Sequence, residues 1–155
     1  MFQLKHASLN WALKHLMRFY ASDFFPRAFE FDAIAHDWDA IRKYLAELDL
    51  HAYAPQTPIM SLAFKPNGTF RVVHQLDPLD SLIYTALVYE IAPKIEQYRI
   101  PRQEKIVWSY RIKVSVKGSF FNREEDTWRD YMAQIRHLAA KFDGGFVVTC
   151  DFVDF

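Results

Sequence analysis

"IMSLAFKPNGTFRVVHQ", residues Ile59 to Gln75, sets the fold class of this chain. Ile59 to Phe64 and Thr69 to Gln75 are rich in residues that favour strands, and Lys65-Pro66-Asn67-Gly68 stands between them. Two strand-forming runs around an Asn-Gly predict a β-hairpin. Pro66 adds its own backbone restriction ahead of Asn67-Gly68, so the turn is expected to be longer than the two-residue type.

Helical patterns flank the hairpin. Upstream, Leu9, Leu13, Leu16, Met17 and Tyr20 recur at helical spacing behind Ser8, a candidate N-cap, and Pro26 ends that helix or begins a turn. A second cap candidate near Asp37 leads into Trp38, Ile41, Tyr44, Leu45 and Leu48, with Pro55 and Pro58 closing the helical region. Downstream, Asp77 or Asp80 is expected to cap a helix through Leu82, Ile83, Ala86, Leu87, Tyr89 and Ile91, ending before Pro93. Ile106 to Val116 fits a strand or an extended loop. Glu124 to Phe142 shows the clearest helical stripe, from Trp128 through Tyr131, Met132, Ile135, Leu138, Ala139 and Phe142, and that stripe predicts a core face. Gly144-Gly145 then stops it, and Phe146 to Cys150 follows as an apolar run of the kind found in buried strands. One hairpin and a short strand among helices make an α+β fold, with no repeat or low-complexity linker dividing it.

At 155 residues and 51% apolar content the chain can bury a sizeable core. The single cysteine, Cys150, rules out an internal disulfide, and as a small apolar residue in a strand it is expected to be buried rather than a nucleophile. Lys5, His6, Lys14, His15 and Arg18 interrupt the early apolar residues, so no secretory signal is read there; no apolar stretch is long enough to cross a membrane. A reducing, cytoplasmic setting without a membrane partner is the expectation.

Formal charge is zero but unevenly spread. Glu30, Asp32, Asp37, Asp39, Glu47 and Asp49 face only Arg42 and Lys43 between residues 30 and 50. Between residues 94 and 118 the order reverses: Lys94, Arg99, Arg102, Lys105, Arg111, Lys113 and Lys117 face only Glu96 and Glu104. Tyr98, Trp108 and Tyr110 interleave with those cations, a pattern that serves nucleic-acid bases as well as phosphates and also fits a solvated cationic face. The histidines are scattered, none at a zinc-ligand spacing, and no glycine belongs to a Walker or Rossmann phosphate loop. Asp151 and Asp154 close the chain three residues apart; an alternating strand would place them on opposite faces, whereas a turn after Asp151 would bring both to one pocket.

Three segments, in this order, resemble the reverse transcriptases and their right-hand polymerase relatives. "FKPNGTFRVV", Phe64 to Val73, looks like the fingers hairpin with a lysine and an arginine flanking a tight turn. "QLDPLDSLIYTAL", Gln75 to Leu87, resembles the segment in which an aspartate opens the following helix. "FVVTCDFVDF", Phe146 to Phe155, looks like the first palm strand and its metal-binding aspartate. "PRAFE", "QLDPLD" and "SYR" are similar to segments of bacterial reverse transcriptases associated with phage defence. The resemblance covers Pro26 to Phe155 and rests on order and spacing.

It implies a helical leader over residues 1–54, fingers over 55–123 and the start of a palm over 124–155. Asp151, with the Phe152 carbonyl, would be the first Mg²⁺ ligand in a nucleotidyl transfer that uses two Mg²⁺ ions. Lys65 and Arg71 would reach the triphosphate of an incoming dNTP, which Asp154 and Phe155 would meet through backbone N–H groups. Arg102, Lys105 and Arg111 would contact an RNA or DNA template-primer. Without the family, Lys65 and Arg71 are ordinary charges at the ends of a turn. The family's Tyr-x-Asp-Asp segment does not occur in these 155 residues, so the expectation is the amino-terminal part of an RNA-directed DNA polymerase, inactive by itself. An apolar palm strand without neighbours is also expected to promote self-association. The competing reading is a non-catalytic α+β module that binds nucleic acid or protein through the basic stretch.

Overall fold

The computed structural model describes residues 2–19, 25–66, 68–121, 127–142, 146–148 and 150. Among the described residues, five α-helices and one two-stranded antiparallel sheet make a mixed α+β fold in the order α1 (His6–Phe19), α2 (Glu30–His36), α3 (Trp38–Glu47), β1 (Ile59–Phe64), β2 (Phe70–Gln75), α4 (Pro78–Tyr98) and α5 (Trp128–Ala139). Among the described residues no helix is long and apolar enough to cross a membrane.

The core lies among the first four helices. Leu9, Ala12 and Leu16 on α1, Phe31 and Ile34 on α2, Leu45 on α3, and Leu82, Ile83 and Ala86 on α4 pack into one cluster. Full burial of a leucine stabilises by roughly 1.5–3 kcal/mol, so Leu9, Leu45 and Leu82 with Phe31 account for much of what holds these helices together. A second, smaller cluster joins Trp11, Ala92 and Phe120, with Ile112 and Val114 against it. It fastens the 112–121 segment to α1 and α4.

Local chemistry explains several boundaries and corrects others. The α1 helix begins two residues before Ser8; that side chain is buried and its hydroxyl donates to Glu90 at 2.7 Å, so it ties α1 to α4 rather than capping. Asp37 occupies the N-cap position of α3, without a side-chain capping bond. Between the two candidate caps of α4, Asp77 is the one used: its carboxylate accepts from the Leu79 N–H at 2.8 Å, and Pro78 takes the first turn, where a missing N–H costs nothing. Pro93 does not end α4, which runs on to Tyr98. Proline removes one N–H from the helical ladder, and the turn beyond it is held from outside by bonds to Glu96.

The hairpin pairs Ile59 with Gln75 through to Phe64 with Phe70, and no residue of either strand is buried. Backbone bonds from Lys65 N–H to the Thr69 carbonyl (2.8 Å) and from Gly68 N–H to the Lys65 carbonyl (3.1 Å) close a turn longer than two residues. Gly68 supplies the left-handed backbone that the turn needs, at φ 82°. Ile106 to Val116 forms no strand; a single bridge joins Ile112 to Phe121 across a tight turn at Gly118. The apolar stripe of α5 is not a core face, since none of that helix's residues is buried. Phe146, Val147, Val148 and Cys150 lie outside any strand and are exposed, contrary to the buried strand that their composition predicts.

Candidate functional site

Alternation along an antiparallel ribbon sorts side chains by face. Arg71 pairs with Ala63, and Lys65 lies across from Thr69, so the two cations share the face opposite Phe64 and Phe70. Both are exposed, and they are diagonal neighbours, within reach of a single anionic group. Arg71 also interacts within the chain.

The basic stretch divides into two parts. In the first, Glu96 is a hub: its carboxylate accepts from Arg99 Nη1 at 3.2 Å, Arg111 Nη1 at 3.0 Å and the Ile112 N–H at 2.9 Å. Burial alone would raise the pKa of this carboxylate, but the bonds from Ile112, Arg111 and Arg99 outweigh it and hold the group below its ordinary value. Arg99 donates further to the Tyr110 and Ser109 carbonyls, and Arg111 to the Ile100 carbonyl. Arg111, expected at a template, is therefore engaged inside the fold, its side chain only 16% exposed.

The second part borders a cleft, and Arg102 in it also interacts within the chain. Arg102 and Glu104 bound a short 3₁₀ turn, and Lys105 follows in the left-handed region at φ 51°. That turn reverses the chain toward Trp108, whose indole N–H donates to the Lys105 carbonyl at 3.2 Å. Facing this loop is the first turn of α5, fixed by a capping box in which Thr127 and Asp130 bond reciprocally. Bonds from Thr127 hold the Asp130 carboxyl below its usual range, assisted by the charges of Arg102 and Arg129. Trp108, Trp128 and Tyr131 come together across the gap, ring centroids 6.3 Å apart for Trp108–Tyr131 and 5.2 Å for Trp128–Tyr131.

The structure thus brings Arg102 and Lys105 to one aromatic cleft, gives Arg111 to the Glu96 hub, and carries Lys65 and Arg71 on a separate ribbon. Asp151, Phe152, Asp154 and Phe155 lie outside the described residues. Among the described residues no group of three or more His, Cys, Asp or Glu side chains is placed to hold a metal ion. Sequence reading missed the Glu96 hub, although Glu96 and Arg99 stand at the i, i+3 spacing of a helical ion pair. It also missed Asp80 as a buried clamp, accepting from the Tyr53 hydroxyl and the Gln56 N–H. Burial and this contact push the Tyr53 hydroxyl's pKa upward.

No family model, curated protein or solved structure matches this chain.

Proposed function

We propose that this chain is the amino-terminal portion of a reverse-transcriptase-like polymerase, in which Ile59–Gln75 is the fingers hairpin. The observation that carries the reading is the exposed ribbon with Lys65 and Arg71 on one face, followed directly by the Asp77-capped α4. Such a ribbon can present two cations to a triphosphate without disturbing the helical core, because no strand residue is buried in it. In this reading Asp151 and the Phe152 carbonyl are Mg²⁺ ligands, and Mg²⁺ supplies charge stabilisation of the attacking and leaving oxygens when bound. Asp154 and Phe155 meet the same nucleotide through their N–H groups, and RNA-directed DNA synthesis belongs to a chain that also carries the Tyr-x-Asp-Asp carboxylates. A role in phage defence is part of the same proposal.

The test is dNTP incorporation on primed RNA by a chain extended to include that segment. Asp151→Ala is expected to abolish incorporation. Lys65→Ala and Arg71→Ala are expected to raise the KM for dNTP about tenfold or more, each removing a charge-assisted contact. Absence of incorporation on either RNA or DNA templates by the unsubstituted extended chain overturns the reading; incorporation that survives Asp151→Ala removes that residue from the site. The rival, a non-catalytic binding module, draws on the open cleft beside Arg102 and Lys105 and predicts salt-sensitive, metal-independent binding.

A further inference from the structure

We infer that the cleft between the 106–110 loop and the first turn of α5 is a binding site for single-stranded nucleic acid, with bases stacking on Trp128 and Tyr131. The inference does not rest on the polymerase reading, since it concerns binding without nucleotide or metal.

The cleft has a volume of about 650 Å³, and its Val107 and Trp108 walls are shared with a smaller hollow of about 140 Å³ lined by Arg102 and Lys105. The larger volume admits a small planar group, and the aromatic rings of Trp108, Trp128 and Tyr131 border it. Trp108 is oriented by its bond to the Lys105 carbonyl, while the capping box fixes the backbone turn that carries Trp128, whose ring lies against Tyr131. Trp128 is nonetheless 70% exposed. An indole open to water leaves apolar surface that a stacking partner would cover, and bases stack on such rings whatever their sequence.

Charge selects the class of partner. Lys105 and Arg102 stand at one end of the rings, and Arg129 follows Trp128 on the helix. Among the described residues the carboxylate lining the hollow, Asp130, is tied to Thr127 and lies in the field of Arg102 and Arg129. A polyanion with flat, unpaired faces matches cations beside aromatic rings; a duplex, whose bases are already stacked on each other, does not present those faces. The acids Glu124, Glu125 and Asp126 lie outside the described residues.

The experiment is titration of the intact chain with fluorescein-labelled oligo(dT) of about 12 nucleotides, a common single-strand site size, in the absence of metal and dNTP. Anisotropy reports binding, and tryptophan quenching reports stacking. Trp128→Ala is expected to weaken binding about 5- to 150-fold and to remove much of the quenching, while Trp128→Phe keeps most of the affinity. Because Trp128 is largely exposed, unchanged thermal midpoints verify that both variants fold. Replacing Arg102 and Lys105 together by glutamine is expected to flatten the dependence of log affinity on log salt by about 1.4, two phosphates at about 0.7 each. Absence of binding at low salt, equal affinity for duplex, an unaltered affinity in Trp128→Ala, or a salt dependence unchanged by the double variant each overturns the inference.

Discussion

Gly118 shows how one residue can set a long-range contact. Its φ of 90° is left-handed, and a Cβ there would lie 3.1 Å from backbone atoms of Lys14 and His15. Backbone cannot yield as a flexible side chain would. Gly118→Ala is therefore expected to cost about 2–4 kcal/mol, combining left-handed strain with overpacking, as measured by urea denaturation. Gly68→Ala, at φ 82° but in open space, carries only the conformational part, about 1–2 kcal/mol. A loss at Gly118 no greater than at Gly68 would show that α1 moves aside freely. The same contact places His15, whose Nδ1 donates to the Gly118 carbonyl at 2.6 Å beside a stacked Trp11. Burial lowers the His15 pKa from 6.5 more than that bond raises it. Between the folded value and 6.5 the unfolded chain binds more protons, so this contribution to stability is complete above pH 6.5 and is lost as pH falls through the lower folded value. Denaturation midpoints are expected to drop on going from neutral pH through this window, and His15→Gln is expected to flatten that drop. A midpoint with the same pH slope in both proteins would exclude His15 as the source.

At the scale of elements, Asp80 joins α4 to the 53–56 segment. Removing its carboxylate leaves the Tyr53 hydroxyl and the Gln56 N–H without their acceptor, so Asp80→Ala is expected to destabilise by about 2–4 kcal/mol. Thr127→Ala removes one half of the α5 capping box at about 1 kcal/mol, a loss visible as reduced helical circular dichroism. A smaller effect at Asp80 than at Thr127 would mean that the 53–56 segment is not clamped. These cases explain what could be read from the sequence. The hairpin announced itself because strand-favouring runs and an Asn-Gly turn are local signals, as was an aspartate start to α4, narrowed only to Asp77 or Asp80. The short α2 went unread, being two turns with Phe31 and Ile34 as its only buried residues. Trp128 and its stripe read as core because periodicity reports an apolar face and not what covers it. At the candidate site, Arg102 and Lys105 were legible as charges next to aromatics. That Arg111 belongs to Glu96 depended on a chain reversal fifteen residues long, which no short-range pattern encodes.

For the molecule as a whole, the hairpin has a further consequence. Met60, Leu62 and Phe64 share a face with Phe70, Val72 and His74, and all five apolar members are exposed, Phe64 at 86%. Both edges of a two-stranded sheet carry unpaired backbone groups, and a formal charge of zero with a pI near 7.0 provides little repulsion between copies at neutral pH. Concentration-dependent self-association at pH 7 is therefore expected in sedimentation velocity. The informative variant replaces Phe64 by glutamate and Phe70 by lysine together. These residues face each other across the ribbon, so opposite charges keep the strands paired while the apolar face is broken. The double variant is expected to sediment as a monomer where the parent chain associates. If the parent is monomeric at every concentration, the apolar face is not adhesive; if the variant associates as strongly as the parent, the contact lies elsewhere, and the exposed Phe146, Val147 and Val148 are the next side chains to replace.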